Sequence, residues 1–221
     1  MMKKIILLII LLMAPAAHAV PIGRPIAAEH QWRVGGLVSF EELEMNGKNN
    51  SSVAGDLRSR LVLAEAVYGF TQGGELVLRL GTSDESFRSG TAQDLGAKLD
   101  WGIGVRGIMW DSFRDWRILG DAQYFSRPTR NYGIAEITIS QWQIASSVEW
   151  HLHEFYPYIG LHYEDIKLSS NNEAVFPSLE TKGAIGIQLG LGYEPSVDWS
   201  LHVEARTGSS DAFTVGAHYR F

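Results

Sequence analysis

His162, Glu164 and Asp165 stand within four residues of one another, and Asp84 is followed directly by Glu85. An imidazole and carboxylates this close together are the groups that take a proton from water or a hydroxyl in general base catalysis. Charges at the ends of strands are more commonly solvated than catalytic, and no catalytic residue is assigned from this spacing alone. His151 and His153 flank Leu152, a pair able to bind a metal. No third ligand accompanies them, so the pair is read as polar turn sequence, and neither a metal nor a cofactor is assigned. The chain contains no P-loop, dinucleotide fingerprint, zinc spacing or nucleophile elbow.

The elements that must carry these residues are strands. From Asp211 to Phe221, the apolar Phe213, Val215, Ala217, Tyr219 and Phe221 alternate with Thr214, Gly216, His218 and Arg220. The same two-residue period recurs along the chain. It predicts strands near 31–40, 57–70, 75–80, 97–109, 116–124, 141–150, 158–164, 184–193 and 199–206, which with the closing segment make ten. Polar stretches rich in Asn, Ser and Gly at 41–56, 82–95, 126–136 and 165–182 read as long loops. Between them fall short turns at 71–74, 111–115, 151–155 and 194–198, and a last short one at 207–210. Long and short connections in alternation, with an even strand count, fit an antiparallel up-and-down transmembrane β-barrel; eight strands is the alternative.

Aromatic residues fall at the levels such a wall requires. Trp110 and Trp116, Trp150 and Tyr156, and Tyr193 and Trp199 each flank a short turn at a spacing of six residues. With Trp32, Phe70 and Phe221 they are expected to form one membrane-interface belt, where a ring has an apolar body in lipid and a polar edge in water. Phe40, Trp101, Tyr124, Trp142, Tyr163 and Phe213 are expected at the opposite interface.

The other face of the strands is polar and of mixed sign. The expected inward network comprises Arg33, Glu65, Arg79, Lys98, Asp100, Arg106, Arg117, Asp121, Glu149, His202, Glu204, Arg206, His218 and Arg220, with Glu75, His162 and Glu164 beside them. Such a set either lines a water path or fills the lumen with ion pairs. Interiors near eight strands are just wide enough for side chains to fill, and wide channels need about sixteen. Buried charges of both signs survive when paired. Both arguments favour a narrow or plugged lumen.

No segment beyond the N-terminus approaches the ~20 apolar residues of a membrane helix. Lys3 and Lys4, the apolar run from Ile5 to Met13 and the small-residue site Ala17-His18-Ala19 predict a signal peptide over residues 1–19. Its removal takes away two lysines and no acid, moving the net charge from −6 to −8. That balance argues against nucleic-acid binding. The chain has no cysteine, so disulfides are excluded as its source of stability after export. Residues 20–30, with Pro21 and Pro25, are expected to form a periplasmic lead-in to a barrel over 31–221.

The final strand, ending on Phe221, resembles the C-terminal signal of bacterial outer-membrane β-barrels. Residues 31–221 as a whole resemble the small outer-membrane β-barrels of Gram-negative bacteria, which have eight to ten strands and sit at the cell surface. The resemblance implies an integral outer-membrane protein with periplasmic termini. Its partners would be outer-membrane lipid, lipopolysaccharide and the barrel-assembly machinery reading the last strand. The expected role is structural or surface-interacting and not enzymatic, with a narrow ion-paired lumen, long external loops and no assigned external ligand; the alternative is a porin-like small-solute channel. The strand count is also similar to that of the omptin proteases, which implies a rim-active hydrolase as a second alternative, although their Asp-Asp and Asp-His pairs have no match here. The His-Ser arrangement of lipid A-modifying barrels is absent as well.

Overall fold

The computed structural model describes residues 27–47, 54–89, 91–112, 115–132, 134–181, 184–208 and 210–221. The expected signal peptide and residues 20–26 of the lead-in lie outside them. The described chain is all β: β1 (Trp32–Gly47), β2 (Ala54–Thr71), β3 (Gly74–Ser89), β4 (Thr91–Asp111), β5 (Trp116–Tyr132), β6 (Ala135–Trp150), β7 (Phe155–Ser170), a two-residue β8 (Leu179–Glu180), β9 (Ala184–Tyr193), β10 (Trp199–Thr207) and β11 (Ser210–Arg220). Apart from β8, each strand pairs antiparallel with its sequence neighbour, and β7 pairs directly with β9. β11 returns to β1 in register from Arg33↔Arg220 to Leu43↔Ser210, so ten strands close a barrel without edges. The start of β1 and the end of β11 therefore share one end of the barrel, called the near end below.

Alternation decides which face each residue takes. Val34, Val62, Leu80, Ile103, Ile144, Leu161, Ile187 and Val215 are exposed on the outer face, while their neighbours in sequence are buried or, at Gly35, Gly81 and Gly160, half-buried. An outward band of this kind, fully hydrogen-bonded within the wall, is the surface a barrel needs in lipid. Near-end turns are tight. Gly73, at φ 86°, supplies the left-handed step in the β2–β3 turn.

The strands are longer than the sequence reading allowed. The segments 41–56, 82–95 and 126–136, expected as long loops, are for the most part strand. Beyond Phe40 the pattern inverts. Glu42, Glu44, Asp56, Arg58, Asp84 and Arg88 take the outer face, while Leu43, Met45, Leu57 and Phe87 point in and are buried. Asn, Ser and Gly here ride on a wall standing in water, so a search for outward apolar residues stops at the membrane edge. The fourth expected loop, 165–182, also splits. β7 continues to Ser170, and the rest folds back so that β8 pairs with β7 at Lys167↔Glu180 and with β1 at Asn46↔Glu180.

Strand lengths explain that return. β1 to β7 run 16 to 21 residues, whereas β9, β10 and β11 have 10, 9 and 11. The three short strands stop where the outer face turns polar, and the gap left above them between β7 and β1 is filled by residues 171–181. Thr181 donates its amide to the Ile166 carbonyl at 3.0 Å, and its Oγ1 accepts from the Ile166 amide at 3.1 Å. The barrel thus has two storeys, apolar outside near the termini and apolar inside at the far end.

The lower band gives a direct test. Ile144, on the outer face midway along β6, is 58% exposed. Ile144→Arg is expected to cost about 2–4 kcal/mol of folding free energy in a bilayer, as a lipid-face guanidinium does near the midplane. The same change at Thr138, exposed on the upper storey of the same strand, is expected to be nearly neutral. Urea titration in lipid vesicles compares the two.

Candidate functional site: the lumen and its cap

Cross-strand register places the inward charges opposite one another. Glu65 faces Arg79 across β2–β3, Glu75 faces Arg106 across β3–β4, and Arg106 faces Asp121 across β4–β5. Near the termini the Glu65 carboxylate lies 2.5 Å from Arg79 Nε, 3.2 Å from Arg106 Nη2 and 2.9 Å from His218 Nε2. Arg106 Nε reaches Glu75 at 2.6 Å. Arg79 also donates to Gln123, whose amide donates to Asp121 at 2.7 Å. The His202 ring stacks on His218 with centroids 5.4 Å apart. Asp100 and Glu149 are buried, the latter 3.2 Å from His151 Nε2, and Arg33 donates to the Val197 carbonyl at 3.3 Å.

The next layer is held from β7 and β10. Tyr158 donates its hydroxyl to Glu204 at 2.5 Å, and Arg206 Nε lies 3.6 Å from the same carboxylate. Ser210 and Gln141 donate to Glu164. Above these, Arg127 on β5 forms a hub. It donates to Glu41, to Glu85 at 3.1 Å, to Ser59 at 3.0 Å and to the Gln141 carbonyl at 3.1 Å. The far storey is then closed by an apolar cluster drawn from β1, β2, β3, β4, β6, β7 and the returning segment, with the Phe176 ring edge-on to Phe87 at 5.3 Å.

Inward glycines of β4 and β9 are covered by neighbouring side chains. Phe125 lies over Gly102, Gln123 over Gly104, His162 over Gly186 and Tyr158 over Gly190, so a β-carbon at any of the four would collide. Among the described buried residues there are nine acids and five arginines, an excess of four carboxylates over guanidinium groups with histidine neutral.

Three residues named from sequence for the network sit elsewhere or at its margin. Lys98 is exposed, one inward step beyond Asp100. Arg117 is half-buried and pairs with Asp111 at 2.7 Å, and Arg220 pairs with Asp198 at 3.5 Å at the near mouth. Conversely, Arg127, Glu41 and Glu85 were hidden in segments read as loops. The alternation that continues through Glu41, Leu43 and Met45 was the signal for them.

The residues considered for catalysis do not converge. His162 and Glu164 are buried in the lumen, whereas Asp165 lies on the outer face 2.8 Å from Lys167. Asp84 is outward and exposed, while Glu85 is inward and buried. His151 packs edge-on against Tyr156, and the described residues contain no cluster of three metal-ligating side chains.

Outside, Trp32, Trp110, Trp116, Trp150, Trp199 and Phe221 are exposed, with Tyr156 and Tyr193 half-exposed. A bulge between Ile108 and Trp110 turns Trp110 outward, where its ring meets Trp116 at 4.4 Å. Near the other edge of the band, Tyr124 lies 5.6 Å from Trp101 and 4.8 Å from Trp142.

No family model matches the chain, and no curated protein matches its sequence. Solved structures do. The transport unit of the autotransporter AIDA-I from Escherichia coli aligns over 92% of this chain and 93% of its own, with TM-score 0.50 and 9% identity. The translocator domain of the autotransporter NalP from Neisseria meningitidis aligns over 86% and 88% at 0.49 and 14% identity. The outer-membrane protease OmpT from Escherichia coli aligns over 86% and 95% at 0.40 and 9%. With its closed register, its outward apolar band and its polar interior, the chain has the fold of an outer-membrane β-barrel, ten strands around.

Proposed function

We propose that this protein is an integral outer-membrane barrel that works as a sealed, rigid post, presenting its far storey to the outside of a Gram-negative cell. The near end with the termini faces the periplasm in this reading. Lipid and lipopolysaccharide surround the apolar band, and the assembly machinery reads β11. The observation that carries the proposal is the filling of the interior. A network of buried ion pairs occupies the lumen, and an apolar cluster from Leu43 to Leu179 closes it at the far end. Solute transport needs a continuous wet path, and an apolar core above a paired lumen opposes one. What remains free for interaction is the polar outer face of the far storey, a sheet that holds its side chains in a fixed array above the membrane.

The purified barrel in a planar bilayer is expected to give no steady single-channel conductance. Reproducible unitary steps would overturn the sealed reading. The acidic excess in the lumen supplies a further expectation: any leak opened by removing residues 171–181 should favour cations over anions.

A further inference from the structure

The ten strands close without an edge in the membrane storey; above it one pairing is missing. The β3–β4 ladder runs on to Ser89↔Thr91 and the β5–β6 ladder to Tyr132↔Ala135, but β4 and β5 part above Trp101↔Ser126. Among the described residues, 91–99 of β4 therefore pair with β3 and have no strand on their other side. Across the storey, the gap between β7 and β1 is bridged by β8. The sequence explains the parting. Pro128 has no amide to give to a ladder, and the bulge between Arg127 and Arg130 bends β5 away while it stays on β6. Lys98 reports the opening. It lies opposite the buried Ser83 on the inward face, yet it is exposed and makes no ion pair among the described residues. Leu95, farther out along the same face, is buried in the apolar cluster, so water reaches Lys98 from the side and not from the top. Asp100 and Arg127, both fully buried, stop it below.

We infer that the β4 edge at residues 91–99 docks an extended segment of another protein, which adds beside it as a strand and sets an acidic side chain opposite Lys98. The edge selects that chemistry. A free ladder offers amides and carbonyls from alternate residues, and an extended backbone is the structure that meets both. Residues 91–99 span roughly 27 Å, enough for a strand of ordinary length. The seam opens where the Trp101 and Tyr124 rings mark the rim of the lipid band, so the edge stands in water, where unpaired backbone can persist. β5 offers no rival edge, since a proline and a bulge are what blunt a strand against pairing. A second copy of the chain is excluded by symmetry. Two barrels in one membrane are related about its normal, and strands tilted about 35–45° from that axis cross and do not pair. The inference takes from the proposed function only that the far storey faces outward; the pairing itself does not depend on it.

The test uses the full barrel purified from outer membranes, in detergent, with two fluorescent end-blocked peptides of about nine residues. Both alternate valine and threonine around a central glutamate; in the second, the internal amides are N-methylated, which removes the donors and keeps the side chains. Saturable binding of the first is expected by fluorescence anisotropy, with the second at least about ten-fold weaker through the loss of several hydrogen bonds. Binding should slow hydrogen exchange within residues 91–99 and leave 102–109 unchanged. Lys98→Glu, an exposed change, should weaken the glutamate peptide about five-fold and favour one with a central lysine instead. Absence of saturable binding, equal affinity for the two peptides, or protection outside 91–99 overturns the inference, and an affinity unmoved by K98E overturns the acidic contact. Every readout is made on purified protein. Unitary steps in the bilayer recording would overturn the sealed lumen and leave this edge standing.

Discussion

Replacing Arg127 by methionine is expected to cost at least 3–5 kcal/mol of folding stability, approximately the penalty for removing one side of a buried ion pair, and to make what stability remains fall as pH rises. Arg127 is fully buried and is the guanidinium between Glu41 and Glu85. Methionine fills much of its volume but leaves two carboxylates facing each other with that charge gone. Both lie just beyond Phe40, where the outer face becomes charged and the wall has left the lipid. Burial already pushes the Glu41 carboxyl above its ordinary value, against the opposing pull of Arg127. Without the arginine it rises further. A carboxyl whose folded pKa is raised contributes most below its unfolded value, about 4.3, and that contribution is lost as pH rises through the folded pKa. The deficit of R127M relative to the parent should therefore be small near pH 4 and full near pH 8. Adding Glu41→Gln should recover part of it at pH 8 and little at pH 4. Urea unfolding in lipid vesicles, followed by tryptophan fluorescence, measures all of this. A deficit that is the same at both pH values would mean that the loss is one of packing and not of charge.

The hub was masked in the sequence by turn-forming residues, whereas the membrane storey was legible, and one physical rule accounts for both. From Trp32 to Phe40 and from Phe213 to Phe221, lipid demands apolar residues on the outside, and the alternation reads directly as a wall. The same strands continue past Phe40 into water. There, Glu42, Glu44 and Asp56 are correct on the outer face, and Leu43, Met45 and Leu57 on the inner. Period two persists while its sign reverses, and the added Asn, Ser and Gly supply turn signals that a local reading accepts. Ten strands and their order followed from spacing alone. The filling of the lumen did not, because an inward glycine reads as space until the register shows whose ring lies over it. Gly190 beneath Tyr158 and Gly216 beneath His202 are such positions. The carboxylate partners of Arg79 and Arg106 became identifiable only once the register set Glu65 and Glu75 opposite them. His162 and Asp165, three apart in sequence, end on opposite faces because an odd step along a strand always separates two residues in that way.

If the two storeys differ in what holds them, one substitution should loosen the upper and spare the lower. Phe176 belongs to the segment that fills the gap between β7 and β1 and is 3% exposed in the far apolar cluster, against Phe87. Truncation of such a ring to alanine removes about 3–5 kcal/mol where the site cannot collapse, a large share of the stability of a small apolar core. The loss should remain local. The clusters that fill the lower lumen draw nothing from residues 171–181, and the storeys meet through the polar layer around Arg127 and through continuity of the strands. In Phe176→Ala the segment 171–178 is therefore expected to become open to protease, with a single nick there. The lower barrel should still migrate as a folded, heat-modifiable species in SDS gels and keep its urea midpoint. Loss of the folded band would show that the cap and the membrane wall fold as one unit. Resistance equal to that of the parent would show that β8 is held by its hydrogen bonds to β1 and β7, and that the ring against Phe87 contributes little. The intermediate result, a nicked cap on an intact wall, is the one required if lipid outside and oil inside are independent solutions to the same burial problem, joined end to end in one continuous sheet.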